Sequence, residues 1–254
     1  MSGNHYAIHL FGGFELRVER RLAELPSAGQ RLVSFLALHD RPLPRRLVAE
    51  TLWPDADDQK ATARLRTTLW RLRANWPELV EVGPVEIALS PGVWVDTRAL
   101  DHHARVFRAT QELPDAERLM GFRGDLLPGC WDSWLVFDRE RLRYETIHLL
   151  EAVSWAYLRR GNAHLALLLG LCAVDCDPLR ESSNVLVVQT HLAAGETPDA
   201  VRHARRYAAL LSEELGVAPP KVLDDLLWQQ RDVTRQPAAT FGPPATGAAV
   251  RGLT

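Results

Sequence analysis

Apolar residues recur along this chain at two different periods, and the change from one to the other divides it. The opening HYAIHLFGGFELRVERRLAEL (residues 5–25) alternates loosely and is broken by Gly12-Gly13 and by the charged turn Glu19-Arg20-Arg21, a pattern of short antiparallel strands. Pro26-Ser27 opens a helix running to about His39, with Leu32, Phe35, Leu36 and Leu38 as its apolar residues. Arg41-Pro42-Leu43-Pro44 reads as a rigid turn. A second helix follows from Pro44 through Leu52, carrying Leu47, Val48 and Leu52, and Pro54 ends it. After Pro77, LVEV and VEIAL flank Gly83-Pro84, and SPGVWVD follows. This stretch reads as a hairpin.

Between the second helix and the hairpin lies QKATARLRTTLWRLRANW, Gln59 to Trp76. Leu65, Leu69, Leu72 and Trp76 share one narrow face of a helix, with Ala61 at its start. Arg66, Thr67, Trp70 and Arg71 occupy the opposite face, and Lys60, Arg64 and Arg73 lie along the sides. The window holds five cations and no acid, while Asp57 and Asp58 precede it as N-terminal charge and a cap. Arginine forks reach guanine edges or phosphates, and short hydroxyls fit between them, so this face suits a major groove. A solvated helix with basic decoration is the plainer alternative. Strands, three helices with the third basic, then a hairpin, is the order of a winged helix, which aims that third helix at DNA.

From Thr97 the pattern becomes helix after helix: Leu100–Gln111, Asp115–Phe122, the turn-rich RGDLLPGCWDSW, and a long helix from about Leu135 to Arg160. An internal repeat follows. Gly161 and Gly195 stand 34 residues apart, Leu158 pairs with Leu192 and Ala166 with Ala200, which is the tetratricopeptide period. Asp177-Pro178 and Pro219-Pro220 mark the unit ends, and Lys221–Arg231 is a helix able to cap the stack. The segment from Pro237 has few large apolar residues and is expected to be disordered. The fold class is therefore α+β: a winged helix-turn-helix domain over 1–97, an all-α tetratricopeptide-like domain over 98–235, and a tail over 236–254.

Composition narrows the function classes. At 46% apolar and 24% charged, the 254-residue chain is that of a core-forming globular protein. It shows neither a membrane-length apolar run nor a signal-peptide layout, so a cytoplasmic protein without membrane partners is expected. The net charge of −2 does not advertise a nucleic-acid binder. Residues 1–100, however, carry 13 Lys/Arg against 12 Asp/Glu, and residues 101–254 carry 17 against 20. Any basic patch is thus confined largely to one helix, which lowers the expected non-specific affinity.

These features together resemble the Streptomyces antibiotic regulatory protein family of transcriptional activators, in which an OmpR-like winged helix precedes a tetratricopeptide-like bacterial transcriptional activation domain. The resemblance is carried by LFGGFEL, AGQRLVSFLAL, RPLPRRLVAETLWPDA, ARLRTTLWRLR and SPGVWVD, then RGDLLPGCWDSWLVFDRERLR, CDPLRESS and EELGVAPPKVLDDL. It implies that Arg66, Thr67, Trp70, Arg71 and Arg73 lie on the recognition helix, and that Arg45 and Arg46 open a helix crossing the DNA backbone. Lys60 and Arg64 complete the expected DNA-binding set. Many OmpR-like wings carry a Gly-Gly-Tyr-Arg turn, whereas this hairpin turns at Gly83-Pro84-Val85-Glu86, which argues against a minor-groove contact by the wing. Trp70 fits either stacking on sugar or thymine methyl, or packing on the neighbouring domain, with packing favoured. The resemblance further implies binding to promoter direct repeats, and contact of the activation domain and the loop around Trp53, Asp55 and Asp57 with RNA polymerase holoenzyme. One basic helix per chain on a near-neutral remainder would bind weakly as a monomer, so two protomers head to tail are expected. The implied regulon is a secondary-metabolite gene cluster.

Two other classes compete. For an enzyme, Cys172 and Cys176 with Cys130 offer three thiolates, but an i, i+4 pair on the apolar LALLLGLCAVDC belongs more naturally to a core than to zinc. His102-His103, at the start of a helix, suit a surface, and Asp125 and Asp132, flanking a turn, suit a structural role. No GxxxxGK[ST] occurs, so the nucleotide-hydrolysing domain of larger relatives is not expected. No cofactor is expected. The remaining class is a helical-repeat scaffold for protein partners that binds no DNA.

Overall fold

The computed structural model describes residues 5–226; the expected tail, 236–254, and the end of the expected helix Lys221–Arg231 lie outside the described residues. Strands β1 (Tyr6–His9), β2 (Glu15–Val18) and β3 (Arg21–Ala23) form the expected antiparallel meander. Glu19 and Arg20 turn it with φ of 49° and 69°, the doubly left-handed turn that matches strand twist. Helix α1 (Ser27–Ala37) follows, then strand β4 (Leu43–Pro44), α2 (Arg45–Leu52) and α3 (Asp58–Asn75). Strands β5 (Val80–Val82) and β6 (Glu86–Leu89) form the hairpin, with Val80 opposite Leu89 and Val82 opposite Ile87.

Three local readings change. Arg41–Pro44 is more than a turn: Leu43-Pro44 pairs with Ile87-Glu86 of β6, where a proline is tolerated because the strand is at the sheet edge. SPGVWVD does not extend the hairpin. Its Trp94–Val95 forms β7, parallel to β1, giving a first sheet of order β3-β2-β1-β7 and a second of order β4-β6-β5. Leu47, expected among the apolar residues of α2, faces outward at 43% exposure, while Val48, Ala49 and Leu52 are buried.

The remaining chain is helical: α4 (Asp96–Thr110), α5 (Ala116–Met120), a 3-10 turn (Ser133–Leu135), then α6 (Val136–Arg159), α7 (Ala163–Cys176), α8 (Glu181–Ala193) and α9 (Thr197–Leu215). Residues 221–226 are also helical. His102-His103 sit in the body of α4 rather than at its start. The 34-residue repeat is visible bond for bond. Gly161 and Gly195, both at φ 79°, donate their N–H to Leu158 O (2.9 Å) and Leu192 O (3.0 Å). One residue later, Asn162 N–H donates to Tyr157 O (3.0 Å) and Glu196 N–H to His191 O (2.8 Å). The left-handed φ of this C-terminal turn is adopted without strain by glycine, and the turn sends Ala166 and Ala200 into equivalent, fully buried positions. Among the described residues, no helix is long and apolar enough to cross a membrane.

The hydrophobic core is continuous through residue 97, joining Ile8, Leu10 and Val95 to Leu100, Leu126 and Leu135. Backbone bonds lace the same junction. Gly12 N–H donates to Asp125 O and Leu127 N–H to Leu10 O, both at 2.9 Å. Asp132 receives Arg31 of α1 through two guanidinium nitrogens, and Trp134 meets Phe35 edge-on, so Asp132 is structural as expected, whereas the Asp125 side chain is exposed and its backbone carbonyl is what serves the junction. Arg139 of α6 donates to the carbonyls of Leu126, Leu127 and Cys130, which holds that turn-rich loop in shape.

Asp96, the first residue of α4, fastens the junction. Its buried carboxylate accepts the N–H groups of Leu10 (2.6 Å), Phe11 (3.0 Å) and Thr97 (2.8 Å). Burial pushes its carboxyl above the usual range, and the three donors offset only part of that. Asp96→Ala would leave buried N–H groups unpaired, each costing about 1–3 kcal/mol. Urea unfolding is therefore expected to show a loss of about 3 kcal/mol, and a loss under about 1 kcal/mol would mean that water replaces the carboxylate.

Farther along α4, burial first and the facing Glu145 of α6 second push Asp101 up to about 6. A carboxyl raised in the folded state stabilises below its unfolded value near 3.9, and that contribution is lost as pH rises through 6. Asp101→Asn, which mimics the protonated acid, should therefore raise the melting temperature at pH 7.5 and leave it unchanged at pH 3.5. Equal shifts at both pH values would contradict a raised Asp101 carboxyl in the folded chain.

Candidate nucleic-acid interface

The candidate interface is built on α3. Its leucine underside packs as the spacing predicts: Ala61, Leu65, Leu69 and Leu72 are buried with Thr68, against α1 and α2. Asp57 caps the helix by accepting the N–H of Lys60 at 2.8 Å, and Asp58 occupies the first turn, where a negative charge meets the positive helix end. The helix runs 58–75, one residue earlier at each end than its pattern suggested.

Facing outward, Arg64, Arg66, Arg71 and Arg73 are all exposed, and none makes an ion pair among the described residues. The other expected cations are engaged. Lys60 Nζ pairs with Asp57 Oδ2 at 2.8 Å. Arg46 reaches Glu50 (2.5 Å) and Asp58 (3.3 Å), and the Glu50 bond holds its guanidinium firmly protonated. These pairs are exposed, hence weak, and salt screens them. Arg45 is committed differently. Its N–H donates to Val85 O (2.9 Å) and its guanidinium to Gly83 O (3.2 Å), which staples α2 to the hairpin turn. That turn carries exposed Val85 and Glu86 and no cation.

Two side chains on this face differ from expectation. The Thr67 hydroxyl donates to Ala63 O at 3.0 Å, so its proton is engaged inside the helix and its methyl group is free to face outward. Trp70 does not pack on the second half of the chain; at 70% exposure its indole stands in solvent between the arginines. The helical period places it outward with the arginines, and large apolar residues do occur on surfaces.

A groove of about 580 Å³ runs between the starts of α2 and α3 and the hairpin turn, lined by Arg45, Arg46, Gln59, Thr62, Arg66 and Pro84 among others. Gln59 and Thr62 were missed in the sequence, although the i−7 and i−4 spacing from Arg66 places them on its face. The surface offers many N–H donors and a single outward indole, a set that recognises anions and flat apolar groups. In the loop before α3, Asp55 is exposed, whereas Trp53 is half-buried against the core and Asp57 is occupied by capping and by Lys60. Away from this surface, burial raises the Cys172 and Cys176 thiols on α7, as it does Cys130, which suits core packing more than metal ligation.

Comparison with known proteins adds two findings. Residues 94–228 match the family described as "Bacterial transcriptional activator domain". A solved structure, "Mycobacterium tuberculosis EmbR in complex with low affinity phosphopeptide", shares the fold with a TM-score of 0.61 at 18% identity, covering 93% of this chain and 67% of that one. No curated protein sequence matches significantly.

Because the indole is mostly in solvent, Trp70→Ala should change unfolding free energy by no more than about 0.5 kcal/mol. A loss beyond about 2 kcal/mol in chemical denaturation would place the ring in the core after all.

Proposed function

The chain belongs to the bacterial transcriptional activator domain family, and from that premise we propose that it is a sequence-specific DNA-binding activator whose helix α3 enters the major groove. A winged helix ahead of that domain is the organisation of the Streptomyces antibiotic regulatory protein type, and this family membership points to a regulator rather than an enzyme. The observation that carries the DNA reading is the outer face of α3: four exposed, unpaired guanidiniums around one exposed indole, on a helix anchored by its leucines. Carboxylates of the second half do not reach those arginines among the described residues.

In this reading Arg66 and Arg71 divide guanine recognition and phosphate clamping with Arg64 and Arg73, while Thr67 and Trp70 form an apolar island suited to a thymine methyl. Lys60 and Arg46 exchange their exposed carboxylate partners for phosphates, and Arg45 sets the wing rather than contacting DNA. One basic helix per chain, on a protein near neutrality, supports two protomers head to tail on direct repeats. The exposed Asp55 loop, with Trp53 and Asp57 beside it, and the helical domain are the surfaces we assign to RNA polymerase. A secondary-metabolite gene cluster is the regulon that the family likeness suggests.

Sites selected from random DNA, then measured by gel shift, test the reading. If about four phosphates are neutralised per protomer, log K should fall against log salt with a slope of roughly −3.6, and a slope near zero would remove the electrostatic account. Arg71→Ala should weaken selected sites by about 1–3 kcal/mol and scrambled DNA far less; equal losses would recast it as a phosphate contact.

A further inference from the structure

Helix α4 lies beside α6 without closing on it. Between them runs a groove of about 650 Å³, within the roughly 300–1,000 Å³ of small-molecule sites. Its floor is Phe107, Leu149 and the half-buried Trp155. Ala104 from α4 and Ala152 from α6 contribute only methyl groups, and their short side chains leave the gap.

One end of the groove is tied: the Tyr157 hydroxyl donates to Pro114 O (3.0 Å) and Arg160 to Gln111 O (3.3 Å). These bonds hold the end of α6 against the segment that follows α4, so an occupant would enter a partly formed site.

The charge on the rim is one-sided. Arg108 and Arg159 line the Gln111 end, and neither makes an ion pair among the described residues. Arg108 uses its Nε on Ala104 O at 3.2 Å, which leaves its terminal nitrogens. Glu145, the acid in the lining, is held by Arg141 at 3.3 Å. Both arginines stand in the last turn of their helices, where a cation offsets the helix dipole. That role asks for no aromatic floor beneath them.

We propose that this groove is a binding site for a flat aromatic acid, its ring against Trp155 and Phe107 and its carboxylate or sulfonate on the Arg108 and Arg159 forks. The assignment does not depend on whether α3 binds DNA. It does place an effector against α4, the helix whose first residue holds β1.

The probe for the test is 8-anilinonaphthalene-1-sulfonate, titrated by fluorescence into the full chain at low ionic strength. One saturable site is expected, weakened at least about tenfold by Arg108→Ala/Arg159→Ala, as for loss of charge-assisted hydrogen bonds, and similarly by Trp155→Ala. Uncharged N-phenyl-1-naphthylamine should bind correspondingly less tightly than the sulfonate. The arginine substitutions are at the surface, so circular dichroism and melting should match wild type even if Trp155→Ala perturbs the fold. Absence of saturable binding overturns the proposal. So does binding that ignores both variants, which would place the probe on the exposed Trp131 and Phe137 instead.

Discussion

A carboxylate taken out of water determines where the winged helix sits. Asp96 is the first residue of α4 and the acceptor for two backbone donors just beyond β1, so one side chain ties the opening sheet to the helical half. Desolvating that charge is unfavourable, and three N–H groups aimed at it make the position tenable only while β1, β7 and α4 keep their places. Everything outward of it inherits that geometry: α1 through Arg31 and Asp132, and α3 through its packing on α1 and α2. The exposed arginines are held in position by contacts made on the opposite side of the domain.

Much of this was legible in the residues because it is periodic or local. The leucines of α3, the strands around Glu19-Arg20, the hairpin at Gly83 and the repeat at Gly161 and Gly195 announce themselves through spacing or turn chemistry. What escaped reading is the pairing of short segments distant in sequence. Trp94–Val95 is too brief to reveal whether it joins the hairpin or β1, and Leu43-Pro44 carries a proline that argues against a strand. Partner choice there depends on what the segment packs against, α4 for β7 and α2 for β4, which leaves no local signature.

On the candidate surface the same division holds. Which side chains of α3 face outward follows from the 3.6-residue period, so Arg64, Arg66, Arg71 and Arg73 were identifiable in advance. Whether a given cation is free was not, because it depends on neighbours across a turn or a helix. Lys60 folds onto Asp57 three residues back, Arg46 reaches Asp58 at the next helix, and Arg45 is drawn to carbonyls of the hairpin. The hydroxyl of Thr67 illustrates the point at smaller scale: the helix offers it a carbonyl four residues back, which engages its proton and cannot be read from the residue type.

The junction around Gly12, Leu127 and Asp132 is made of backbone bonds and shared core rather than a flexible tether. With α3 seated in a groove as proposed, the helical half has no swivel of its own and points wherever the duplex turns it. A shift of about five base pairs, half of the roughly 10.5 of one helical turn, would carry that half to the opposite side of the DNA. Rotational phase between operator and promoter, as well as distance, then becomes a requirement written into the fold.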